Sequence, residues 1–425
     1  MERRILHADF NGFYASVACL LNPSIRNLPV AVAGDPEKRH GIILAKNEIA
    51  KKFRVQTGEA IWQARIKCPN LLCVKPDFDA YKRFSTLGRE IYGQYSDRVE
   101  AFGLDENWID VTQATCSFDE AASLADLIRR RVKDELGVTV SVGAADNKIF
   151  AKLGSDMKKP DAVTVIRPES FQEKIWPLPA GDLLFVGRAT ELKLTRLGIL
   201  TIGDIATAPE SLLRSQLGKC GVMLHAFANG RDASPVMRMG DEREAKSVGN
   251  SITAPRDLVS NMDVYLTIIM LSESVSARLR EGGFRARTVS VGVRDAGLNS
   301  FMRQRKLDHA SNLTAEIARA AMQLFTENYF WQTGVRSVAV TASDLVHGDA
   351  PEQLTLFGDE QKRLRAERAE NAVDGIRRRF GYHAIGRAIF LEDHAIGSLN
   401  PKEENTVHPV GYLQNGTMAD VVKPV

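Results

Sequence analysis

Cysteine is scarce in this chain: 425 residues hold five, Cys19, Cys68, Cys73, Cys116 and Cys220, and no two form a C-x-x-C pair. That scatter excludes a thiolate zinc site and a secreted-type disulfide framework, and it suits a reducing compartment. No apolar run approaches the ~20 residues of a membrane helix, and the N-terminus lacks the basic-then-apolar pattern of an export signal. The expectation is a cytoplasmic protein without a membrane partner. Histidine numbers only eight, and no His/Cys cluster offers nitrogen or sulfur to a transition metal. An excess of charge of either sign is nearly absent as well, since 56 Lys and Arg face 53 Asp and Glu. A formal net charge of +3 and a pI near 8.5 permit a nucleic-acid partner without demanding one, so any basic surface must come from the distribution of charge.

What the chain does have is core. With 44% hydrophobic and 26% charged residues it describes a globular protein of about three or four domains. Its most informative stretch is Phe102-Gly103-Leu104-Asp105-Glu106-Asn107-Trp108-Ile109-Asp110, which sets two adjacent carboxylates between two strand-like runs. Neighbours on a regular strand point to opposite faces, so Asp105 and Glu106 converge on one ion only if a tight hairpin bends the chain there. A second stretch, Ile5-Leu6-His7-Ala8-Asp9-Phe10, is an apolar strand with Asp9 near its end, followed by Gly12 and a helix-like segment. Oxygen ligands from two strand ends point to a hard cation, magnesium first, that binds substrate phosphates. Two such ions held by three carboxylates can activate an attacking hydroxyl and stabilise a leaving pyrophosphate.

At these residues the chain resembles the Y-family translesion DNA polymerases, most closely the bacterial polymerase IV type, from about Ile5 to about Leu391. Asp9-Phe10-Asn11-Gly12-Phe13-Tyr14-Ala15-Ser16-Val17-Ala18 is similar to the family's first motif, and Gly103 to Val111 to its second. The departures are Asn11 for the second acid, Ala18 for a glutamate, and Gly103 and Asn107 in the hairpin; the three metal ligands are kept. The resemblance implies an α+β fold: a polymerase right hand of palm (1–19 and 72–167), fingers (20–71) and helical thumb (168–239), with an added α/β little-finger domain (240–347). Asp9, Asp105 and Glu106 would be catalytic and hold two Mg²⁺ ions with the Phe10 carbonyl. Phe13, Tyr14, Lys51 and Lys159 would contact the nucleotide. Tyr14, five residues after Asp9, would be the steric gate that rejects a 2′-hydroxyl.

In the fingers, Ala45-Lys46-Asn47-Glu48-Ile49-Ala50-Lys51 loses the threonine and tyrosine of the family pattern but keeps the cation at Lys51. Glu48 is at odds with a neighbouring triphosphate, which an acid repels. Asn147 to Pro160 is similar to the signature N-K-x-x-A-K-x-x-S-D-x-x-K-P, which places Lys159 on the triphosphate. Leu194 to Asp204 resembles a helix-hairpin-helix, which grips DNA by backbone N–H groups and reads no sequence. Phe185-Val186-Gly187 stands where the family often has glycine on both sides.

From Lys246 the pattern is strand, helix, strand, strand, helix, strand, with helices at Val264 to Arg280 and Thr314 to Asn328. Arg303 and Arg305 share a sheet face by period-two spacing, with Arg285 and Arg287 nearby. Alternating cations on a strand suit a phosphate backbone. Residues 348–425 read as a loop, a basic helix and a tail. In the loop, Gln353-Leu354-Thr355-Leu356-Phe357 resembles the bacterial sliding-clamp pentapeptide, with Gln353, Leu354, Leu356 and Phe357 as the binding residues. The reading is therefore an error-prone, template-directed DNA polymerase without proofreading, a monomer acting on primer-template DNA and deoxynucleoside triphosphates and tethered by a sliding clamp. The alternatives are a non-catalytic DNA-binding relative, suggested by Glu48, Ala45 and Asn11, and a palm-domain nucleotidyl cyclase, which has no use for duplex-holding domains.

Overall fold

A computed structural model describes residues 2–35, 41–241, 245–348 and 360–402. These divide into two compact units, one up to residue 241 and one from 245. Gln353, Leu354, Leu356 and Phe357 lie outside the described residues.

The first unit is built on a five-stranded sheet of order β5-β6-β1-β7-β8, where β1 is Ile5–Phe10, β5 Val99–Phe102, β6 Glu106–Asp110, β7 Val140–Ala145 and β8 Val163–Val165. A smaller sheet, β3-β2-β4 (β2 Val30–Ala33, β3 Ile43–Lys46, β4 Leu72–Val74), carries the short helices α2 (Glu48–Lys52) and α3 (Ile61–Lys67). The central strand β1 is buried along its whole length. Its alternation sends Leu6, Ala8 and Phe10 into a core with α1 (Phe13–Leu21), α4 (Phe78–Gly93) and α5 (Phe118–Leu136). His7 and Asp9 therefore face the other side. There α6 (Lys148–Met157) packs with Ile5, Trp108 and Ala145. Asn147 caps α6 by accepting from the Phe150 N–H, and Ser117 does the same for α5 at Glu120.

Helix α4 starts at Phe78 because the Asp77 carboxylate accepts from the Ala80 N–H. Beyond α7 (Phe171–Ile175), the expected hairpin is α8 (Arg188–Arg196) and α9 (Ile202–Thr207), followed by α10 (Glu210–Leu217) and α11 (Lys219–Ala228). The turn is a Schellman motif: Ile199 N–H donates to Leu194 C=O at 3.0 Å and Gly198 N–H to Thr195 C=O at 3.0 Å. Gly198 has φ 77, open to glycine at no steric cost, and Thr201 with Asp204 forms a capping box that starts α9.

The second unit holds β9 (Ser247–Leu258), α12 (Asn261–Glu281), β10 (Phe284–Asp295), β11 (Ser300–Ser311), α13 (Thr314–Asn328) and β12 (Val335–His347), the order expected from the sequence. Its antiparallel sheet, β11-β10-β12-β9, buries Val289, Val291, Val338 and Val340 against α12 and α13. Helix α14 (Glu360–Phe380) docks on the same unit.

Candidate active site

Asp9 and Glu106 stand directly opposite each other in the β1–β6 ladder. Paired residues share a face, so both carboxyls lie on the α6 side of the sheet. Asp105 ends the turn that joins β5 to β6, where Gly103 takes φ 85. The Phe10 N–H donates to the Asp105 carbonyl at 3.0 Å, tying the hairpin to the end of β1. The bend needed to bring two neighbouring acids together is thus present, with Asp105 inside the turn and Glu106 in the first position of the strand.

Crowded carboxylates must lose charge or gain counter-ions. Burial, reinforced by Asp9 and Glu106, pushes Asp105 up to about 7. Burial also works against the Glu106 charge, but His7 and Lys152 outweigh it and hold that carboxyl at about 2. Lys152 Nζ lies 3.1 Å from Asp9 Oδ2, 2.9 Å from Glu106 Oε2 and 3.1 Å from Asp156 Oδ2. Lys159 Nζ is 2.8 Å from both Asp9 and Asp156. Burial alone would lower both lysines; the surrounding acids reverse that and keep them charged. His7 is fully buried, with Nδ1 2.9 Å from Ser155 Oγ and Nε2 3.3 Å from Glu106 Oε2. Burial lowers its pKa, which favours the neutral ring.

Of these, Lys152, Asp156 and His7 were not singled out from the sequence. The i,i+4 spacing of Lys152 and Asp156 was a signal available there. Asn11 replaces an acid for a structural gain: its Nδ2–H donates to Ser141 Oγ at 2.9 Å and its Oδ1 accepts from the Asp161 N–H at 2.8 Å.

Tyr14 is half-buried and stacks on Tyr81 at 4.2 Å. Burial, with Asp105 close by, pushes its hydroxyl up to about 12. The Phe13 ring is buried and stacks on Phe10 at 5.0 Å, so its backbone, at the start of α1, is what a ligand could reach. Lys51 is exposed, 3.5 Å from Glu48 on the same short helix. In the second unit, Arg303 and Arg305 do share a face, but it is the face that α13 covers. Arg303 donates to Asn328 at 3.2 Å, and Arg305 pairs with Glu327 at 2.8 Å. Arg285 pairs with Glu367 at 3.2 Å, while Arg287 is exposed.

Residues 8–156 match the impB/mucB/samB family and residues 245–356 match its C-terminal domain. A Y-family DNA polymerase chimera of known structure shares the fold with a TM-score of 0.72 at 23% identity, over 81% of this chain and 99% of that one. A DNA polymerase IV of Acetivibrio thermocellus is 50% identical over 399 residues, 94% of this chain and 100% of the relative. The chain belongs to the Y-family DNA polymerases. A polymerase IV of Pelotomaculum thermopropionicum is 39% identical over 391 residues, 92% of this chain and 96% of its own.

Y-family polymerases are nucleotidyltransferases that need divalent metal, and the donors here fit one. Asp9, Asp105 and Glu106 offer oxygen only, and the Glu106 Oε2 already draws the Lys152 ammonium to 2.9 Å, so this donor set suits a cation. As the side chains stand, no three His, Cys, Asp or Glu groups among the described residues form a cage. Lys152 bridges Asp9 and Glu106 as a counter-ion. Among the described residues no helix is long and apolar enough to cross a membrane.

Proposed function

We propose that this chain is a translesion DNA polymerase that extends a primer along a DNA template without proofreading. The observation that carries the reading is the facing pair Asp9 and Glu106, with Asp105 one residue away in the hairpin turn. These three carboxylates and the Phe10 carbonyl would hold two Mg²⁺ ions. Bound there, the ions would supply Lewis-acid stabilisation of the attacking 3′-oxygen and of the pyrophosphate that leaves.

The chain's own groups do the rest. Lys159 is the more exposed of the two lysines on Asp9, so it can turn from that carboxylate to the triphosphate of the incoming nucleotide. The free N–H groups at the start of α1, where Gly12 has no side chain to cap them, add donors for the same anion. Lys51 contributes from the fingers segment. Tyr14, held against Tyr81, lies under the deoxyribose and excludes a 2′-hydroxyl. Small residues at Gly12, Ala45 and Gly58 keep the nascent-pair pocket open, which favours lesion bypass over accuracy. Arg287 is the best placed of the four predicted arginines for DNA, since Arg285 and Arg305 already have acidic partners. The protein works as a cytoplasmic monomer, and the segment Gln353 to Phe357 tethers it to a sliding clamp.

Primer extension with Mg²⁺ tests the reading. Asp105→Ala and Glu106→Ala should each reduce the extension rate by at least about a hundredfold, in line with the several kcal/mol that metal-held charge stabilisation supplies, while leaving DNA binding intact. Rates within a few-fold of the parent would sink the assignment. Nucleotide consumption that needed neither primer nor template would favour the cyclase.

A further inference from the structure

Helix α14 lies beyond both family matches, the second of which ends at residue 356. It docks by its acids. Glu367 accepts from Arg285 at 3.2 Å, Asp374 from Arg280 at 2.6 Å, and Glu370 from Arg280 and from the Thr314 N–H at 3.0 Å. Arg377, on the same stripe, reaches buried Glu273 at 3.0 Å. At about 100° per residue, the opposite stripe runs through positions 365, 368, 372, 375 and 379. It holds Arg365, Arg368 and Arg379, all exposed; Arg378 is exposed as well but lies about 100° round the helix from Arg379, on the flank next to the docked stripe. Among the described side chains this outer surface carries no acid, and Arg365, Arg368 and Arg378 have no ion-pair partner.

The helix has therefore sorted its charge: the acids neutralise partly buried arginines of the domain, while Arg365, Arg368 and Arg379 face outward with Arg378 exposed on the flank. Between the two basic pairs the stripe has only Ala372 and Gly375, so a ligand's backbone can lie close against it. The pairs are on the order of 15 to 20 Å apart along the axis, at about 1.5 Å per residue. Guanidinium forks match phosphate oxygens bidentately, and a spaced set of them fits a regular array of phosphates. A bilayer would require an apolar stripe where Ala372 and Gly375 stand.

Resting on the polymerase reading, we infer that α14 is an additional DNA-holding element, which grips the phosphate backbone of duplex DNA through Arg365, Arg368, Arg378 and Arg379 without reading sequence. The full-length chain with all four changed to Ala is compared with the parent by fluorescence anisotropy on a labelled primer-template duplex over a salt series. Each lost phosphate contact removes about 0.9 from the slope of log affinity against log salt, so the slope should fall by about 3 to 4. The pair variant Arg365→Ala/Arg368→Ala should give about half of that, and four lysines should restore it. An unchanged slope in the quadruple and pair variants overturns the inference, even if binding to anionic vesicles is lost. A parent that binds no duplex at all would instead sink the polymerase reading beneath it.

Discussion

A Cβ placed on Gly143 would stand 2.0 Å from the carbonyl oxygen of Ala151, so α6 lies as close to the central sheet as a residue without a side chain allows. Gly143 is the partner of His7 in the β1–β7 ladder, on the face that carries Asp9. This approach is what lowers Lys152 onto the acids and Ser155 onto His7. Gly143→Ala must push the helix outward, since the obstacle is backbone and cannot rotate away. The variant should lose about 1–3 kcal/mol of stability or more and most of its extension activity. A thermal melt within a degree of the parent, with full activity, would show that α6 is not positioned this way.

Tyr14 tests sugar selection. Its ring is fixed by the stack on Tyr81, so removing it opens space rather than allowing a neighbour to swing in. Tyr14→Ala should raise ribonucleotide incorporation relative to deoxynucleotide by roughly tenfold or more, as a steric exclusion of that size implies. An unaltered ratio in single-nucleotide insertion kinetics would remove Tyr14 from that role.

Asp161 gives a pH signature away from the proposed metal ligands. Burial opposes its charge, but hydrogen bonds from Lys133 at 2.8 Å and Arg129 at 2.6 Å win and depress its pKa. A carboxylate with a depressed folded-state pKa stabilises the protein above its ordinary pKa and loses that contribution as pH falls through the depressed value. Asp161→Asn should therefore cost ~1 kcal/mol at neutral pH, and the gap to the parent should close as pH falls through the depressed value. Denaturant melts at pH 7 and at acid pH measure it; a gap that ignored pH would refute the ion-pair account.

The proposed clamp-binding segment, Gln353 to Phe357, can be tested separately. Leu356→Ala together with Phe357→Ala should leave distributive synthesis intact and abolish stimulation by a sliding clamp, because a few buried apolar anchors dominate such contacts and the tether acts through effective concentration. Clamp stimulation retained by the double variant would place the tether elsewhere.

The local sequence carried much of this protein. The order of the acidic motifs, the glycine of the β5–β6 turn and the alternation along β1 depend on neighbours in the chain, so Asp9, Asp105 and Glu106 could be singled out as candidates, and their placement on adjacent strand ends anticipated, without a structure. So could the α8–α9 hairpin, whose Leu197-Gly198-Ile199 turn and Thr201/Asp204 box are local hydrogen-bonding devices. Tertiary structure decided what those residues face. Lys152 reaches Asp9 across 143 residues, and period two alone could not say that Arg303 and Arg305 would lie on the sheet face that α13 covers. Nor could the seven basic residues of α14 reveal from their number which stripe is neutralised within the domain. The physical reason is the same in each case. Backbone periodicity sets the direction of a side chain relative to its own element, whereas its charge partners and burial depend on which other element packs on that face.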